Sequence, residues 1–193
     1  MKRPFAPHPI FALLLAAALA GGPACAQTSL TPGMPLVAAP AEPTPLEQVQ
    51  QLVKQGQLDK ALARADAAIA ANPKNAQLRF VRAVVLNDLG RTADAKAGFE
   101  QLIQDYPELP EPYNNLAAII AAEGRLVRAE QLLKSALEAS PNFATAHENL
   151  GDLYLRMAAE AYAQAVKFAP NNRQAAAKLA QVRELGKPSA KPR

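Results

Sequence analysis

Tryptophan is absent from the 193 residues, and aromatic side chains make up only 5% of them. Half the chain is nonetheless hydrophobic, with alanine inflating the total. Such a composition suits closely packed helices better than the bulky core of a β-sandwich. Cysteine occurs once, at Cys25, and histidine twice, at His8 and His147. A disulfide framework, a Cys/His zinc site and a Cys–His nucleophile all need more than that. Neither a Gly-rich phosphate loop nor a G-x-S-x-G turn occurs, and Ser29, Ser135, Ser140 and Ser189 lack a recognisable base context. Acidic residues are plentiful but fall at the spacing of solvent-facing helix positions. The chain is therefore expected not to be an enzyme, with no catalytic residue, cofactor or metal.

Met1 to Ala26 reads as a secretory signal peptide. Lys2 and Arg3 give the charged start, "IFALLLAAALA" the apolar middle, and Ala24, Cys25 and Ala26 a small-residue cleavage pattern. The apolar run is about half of the ~20 residues that a membrane-spanning helix needs. Gly22 stands where a lipoprotein signal usually has leucine, which argues against a lipid anchor on Cys25. Cleavage after Ala26 and a periplasmic or secreted location are expected. Loss of Lys2 and Arg3 then leaves 19 of the 21 basic residues against 17 acidic ones. That near balance provides no basic field for nucleic acid.

Residues 27–45 hold five prolines and one charge, the composition of a disordered linker. From Leu46 the punctuation is helical and periodic. Pro73, Pro107 and Pro141 lie 34 residues apart, as do Gly56, Gly90 and Gly124, and Ala61, Ala95 and Ala129. A period of that size marks repeats of one helix pair, each burying its apolar face on its neighbours.

The third unit carries Tyr113, Leu116, Ala117 and Ile120, then Ala129 and Leu133, then Pro141. The second keeps Ala83, Leu86, Ala95, Phe99 and Pro107, with Arg79 and Arg82 in its opening slots. The fourth opens with His147, Leu150, Gly151 and Tyr154. On these residues the chain resembles the tetratricopeptide repeat (TPR) proteins, of an exported bacterial type, over roughly residues 46–170. The resemblance implies an all-α, right-handed superhelix of about three full helix pairs. The units are 46–73, 74–107, 108–141 and a shortened 142–170. A capping helix over 171–186 and a disordered tail over 187–193 are expected to follow.

The fourth unit is five residues short, because Pro141 and Pro170 are only 29 apart. The missing residues correspond to "GQLDK", "GRTAD" and "GRLVR" of the earlier units, which contain the turn. Apolar and polar faces stay in phase across the join, and no glycine or proline lies between Asp152 and Ala169. One straight helix over Thr145–Phe168 is predicted in place of a hairpin. Its overhang needs cover, either from the helix after Pro170 or from a second copy meeting it at Leu155, Tyr162 and Val166.

The TPR resemblance further implies a concave groove, lined by the first helices, that binds a protein or peptide partner. Its lining would comprise Gln50, Lys54, Gln77, Phe80, Val84, Asp88, Glu111, Asn114, Ala118, Glu148, Asp152 and Arg156. The groove is mildly acidic and should favour neutral or basic segments. The slots of the family's carboxylate clamp hold Leu46, Gln50, Val81, Glu111 and Asn115, so that clamp is absent. The expected function is a scaffold or adaptor in the cell envelope. The alternative is a structural protein that dimerises through residues 145–168.

Overall fold

The computed structural model describes residues 42–186. The signal peptide, nearly all of the proline-rich segment and the basic tail lie outside the described residues. Among those described there are eight helices and no strand. The first, α1 (Pro45–Lys54), starts one residue before the edge suggested by composition. Thr44 caps it: its Oγ1 accepts from Glu47 N–H at 3.2 Å, and its own N–H donates to Glu47 Oε2 at 2.7 Å. Proline is tolerated at the first helical position because that N–H would lack a helical partner anyway.

Helices α2 (Leu58–Ala71), α3 (Ala76–Asp88), α4 (Thr92–Asp105), α5 (Pro110–Ala122) and α6 (Leu126–Ala139) complete three helix pairs. Each pair turns on a glycine in the left-handed region, with φ of +70°, +76° and +82° at Gly56, Gly90 and Gly124. The following residue donates back across the turn, Gln57 to Leu52, Arg91 to Leu86 and Arg125 to Ile120, at 2.9, 2.9 and 3.1 Å. These bonds satisfy carbonyls that a helix end otherwise leaves bare.

Packing follows the repeat. Ala61, Ala95 and Ala129 are fully buried where the paired helices approach. A Cβ placed on Gly98 of α4 would stand 3.1 Å from that of Ala83 on α3, which shows how close the approach is. Phe99, Leu86 and Leu102 fill the space on either side and are at most 1% exposed. Each helix packs chiefly on its neighbours in sequence, and first helices also meet one another, α1 with α3 and later α5 with the seventh helix. The first helices therefore line the inner side.

That seventh helix, α7 (Ala144–Phe168), runs unbroken for 25 residues. It is about 36 Å long at ~1.5 Å per residue, whereas α6 has only 14 residues. Without the five-residue turn, nothing stops propagation at Met157, and the in-phase faces carry the helix on. Ala146 and Leu153 are buried, with Leu150 and Met157 packed against the same core. The last helix, α8 (Arg173–Leu185), folds back on α7. Asn172 caps it by accepting from Ala175 N–H at 2.9 Å, while Ala175 and Leu179 are buried. Its Lys178 ammonium lies 5.7 Å from the centre of the Tyr162 ring. The overhang thus receives cover on one side from its own chain.

Candidate partner-binding face

The repeat places the sequence-selected residues in rows along the first helices. Gln50, Val84, Ala118 and Asp152 form one row at 34-residue steps, grading from half-buried to exposed at Asp152. Lys54, Asp88 and Arg156 form a second, in which Lys54 and Asp88 are exposed. Gln77 and Glu111 begin a third. The sequence reading omitted Ala122, which the period alone puts between Asp88 and Arg156.

Phe80, Asn114 and Glu148 share a fourth row, but the first two turn inward. Phe80 is half-buried, with its ring centre 5.8 Å from that of Phe99. Asn114 is 1% exposed, and its Oδ1 accepts from Asn149 Nδ2 at 2.7 Å. That bond ties α5 to α7 and makes Asn114 a brace between first helices. Asn115 donates to the Glu111 carbonyl at 2.9 Å and so stays within its own helix. Glu148 is exposed.

Electrostatically the face leans acidic. Asp88, Glu111, Glu148 and Asp152 stand against Lys54 and Arg156. Desolvation by neighbouring atoms pushes the Asp88 carboxyl above the usual aspartate range. A cationic group arriving there would recover part of that cost. Elsewhere the charges mostly serve the scaffold. Arg79 and Arg82, which occupy the opening two slots of their unit, pair with Asp105 of α4 and Asp66 of α2. Lys96 bridges to Glu123 at 2.6 Å.

On α7, Leu155, Tyr162 and Val166 are half-buried, and Tyr162 lies under Lys178 of α8. Tyr154 is 44% and Phe168 80% exposed. His147 is exposed and its Nε2 is 2.9 Å from the Pro141 carbonyl oxygen, so it holds the turn ahead of α7. Among the described residues no cluster of three His, Cys, Asp or Glu could hold a metal ion. No described helix is long and apolar enough to cross a membrane.

Paired helices, repeated with glycine turns and small residues at each crossing, define an α-solenoid whose first helices present an open inner face. The tetratricopeptide repeat model matches residues 46–110 and 86–144, which together span just over half the chain. The chain belongs to the tetratricopeptide repeat family. Solved structures share the fold. The first TPR domain of human RPAP3 is 24% identical, with 59% of this chain and 90% of that one covered and a TM-score of 0.55. The first TPR of Spaghetti, solved with an HSP90 peptide, is also 24% identical over the same shares, at a TM-score of 0.54. MamA is 20% identical, covering 70% of this chain and 82% of its own, at 0.52.

Proposed function

We propose that this protein is a scaffold that holds a neutral or basic segment of another protein along the inner face of α1, α3, α5 and the first half of α7, in the cell envelope. The observation that carries this reading is the pair of rows at 34-residue steps, Gln50–Val84–Ala118–Asp152 and Lys54–Asp88–Ala122–Arg156. They run from unit to unit on the inner side, and exposed charges stand at Lys54, Asp88 and Asp152. Similar TPR domains were solved with the peptides SRMEEVD and SGPTIEEVD. Those peptides are acidic, whereas here Leu46, Gln50, Val81, Glu111 and Asn115 supply no basic clamp. The mild negative charge selects the opposite ligand chemistry.

Affinity capture from envelope extracts, with the wild-type protein and an Asp88→Lys/Asp152→Lys variant side by side, tests the reading. Loss of the captured species in the variant is expected, together with no binding of SRMEEVD by the wild type. Capture that survives both reversals of charge would overturn it. The envelope location belongs to the same proposal, and N-terminal sequencing of the exported protein should begin at Gln27.

A second reading, self-association through α7, is favoured by one observation. Tyr154 and Phe168 leave apolar surface on a helix that α6 and α8 cover only in part.

A further inference from the structure

In the second and third units a small residue on the first helix lies under the second helix. Ala83 and Ala117 occupy this place, each 1% exposed, with Leu86 and Ile120 beside them at 0% and 4%. The residue 34 positions after Ala117 is Gly151. It is exposed, and a Cβ there would meet nothing within 4 Å. Tyr154, the counterpart of Ile120, is 44% exposed. The first half of α7 therefore has an empty berth for a second helix.

The sequence of that second helix is present, but in the wrong place to fill the berth. Ala158, Tyr162 and Ala165 stand as far before Pro170 as Ala129, Leu133 and Ala136 do before Pro141. In α6 those three are at most 3% exposed, whereas none of their counterparts in α7 is fully buried. Ala161, which matches the buried Leu132, is exposed. A straight helix cannot fold its second half onto its first. Both complementary surfaces consequently remain open on one rod.

They also fall on one stripe. Gly151, Tyr154, Ala158, Ala161, Ala165 and Phe168 follow one another at alternating steps of three and four residues, the spacing of a helix–helix seam. None of the six carries a charge. We propose that a second copy of this chain occupies the stripe. The two α7 helices lie antiparallel about a two-fold axis level with Arg156, so that each second half fills the berth of the other's first half. In the register by which Gly98 meets Ala83 within the second unit, Gly151 then faces Ala161 and Tyr154 faces Ala158. This is exchange of one repeat element between protomers, forced by loss of the turn that would let it close within one chain. The inference rests on the self-association reading and deepens it by naming the face.

Light scattering of the purified protein at tens of micromolar should give twice the monomer mass. In a Cys25→Ser background, Gly151→Cys chains mixed with Ala161→Cys chains should form a mixed disulfide on mild oxidation, while Asp152→Cys chains mixed with Ala161→Cys chains should not. Insertion of Gly-Arg-Leu-Val-Arg between Met157 and Ala158 restores the full repeat and should halve the mass with helical circular dichroism retained. A strict monomer would overturn both the arrangement and the self-association reading. A dimer that survives the insertion and fails to form that mixed disulfide would overturn the arrangement alone, leaving contact through Tyr162 and Val166.

Discussion

Asn149 donates through Nδ2 to Oδ1 of Asn114 at 2.7 Å, joining the first helices of the third and fourth units. Among the described residues Asn114 is the one buried polar side chain. Its amide left water for a single well-placed partner. Replacing that partner without replacing Asn114 should cost about 1–3 kcal/mol, the usual penalty for an orphaned buried polar group. Urea denaturation of Asn149→Ala tests this, and an unchanged midpoint would deny the brace.

Glycine has opposite meanings at two positions. Gly124 holds φ +82°, so Gly124→Ala should cost about 1–2 kcal/mol from the left-handed penalty alone. Gly151 lies inside α7 with no steric need for its missing side chain in the monomer. Gly151→Ala should stabilise by about 0.5–1 kcal/mol through helix propensity. Paired urea titrations read both signs.

Phe99 is 1% exposed and bridges the core between α3 and α4. Phe99→Ala should destabilise by about 3–5 kcal/mol through the cavity it leaves. Thermal unfolding against Phe99→Leu, which preserves most of the volume, should show the smaller loss for leucine.

Acid sensitivity should come from the inter-helix pairs. The hydrogen bond from Arg79 holds the Asp105 carboxyl below its usual range, and that from Lys96 does the same for Glu123. Folded values below the unfolded ones give stability that is complete above about pH 4–5, the unfolded carboxylate range. It is lost as the pH falls through the lower folded values. Melting temperature should therefore drop below that range, and less steeply in Asp105→Asn. Asp88 has the opposite sign, since desolvation raises its carboxyl. Its cost appears as the pH rises through the folded value, so Asp88→Asn should raise the melting temperature at pH 7 and change little at pH 3.

Much of this fold was legible because the repeat encodes itself three times. Gly56, Gly90 and Gly124 located the turns, and the phase of Leu150, Tyr154 and Met157 across the missing one pointed to a single helix. What stayed hidden depended on contacts between helices. Asn114 looked like groove lining because its helix position matches Phe80 and Glu148, and only the approach of Asn149 withdraws it. Phe80 turns to Phe99 for the same reason. Arg79 and Arg82 read as departures from the repeat pattern until Asp105 and Asp66 are seen opposite them. Single-chain periodicity fixes which face a residue occupies, but not whether a neighbouring helix covers it.

The continuity of α7 underlies everything proposed for the fourth unit, and a distance measures it directly. Spin labels at Glu148→Cys and Lys167→Cys, in a Cys25→Ser chain diluted with unlabelled protein, report the separation within one molecule. A straight helix places the two backbones about 28 Å apart, 19 residues at ~1.5 Å each. A hairpin reversing near Met157 would bring them to roughly 10 Å, the spacing of packed helices. The longer distance is expected, and a dominant population at the shorter one would contradict the account.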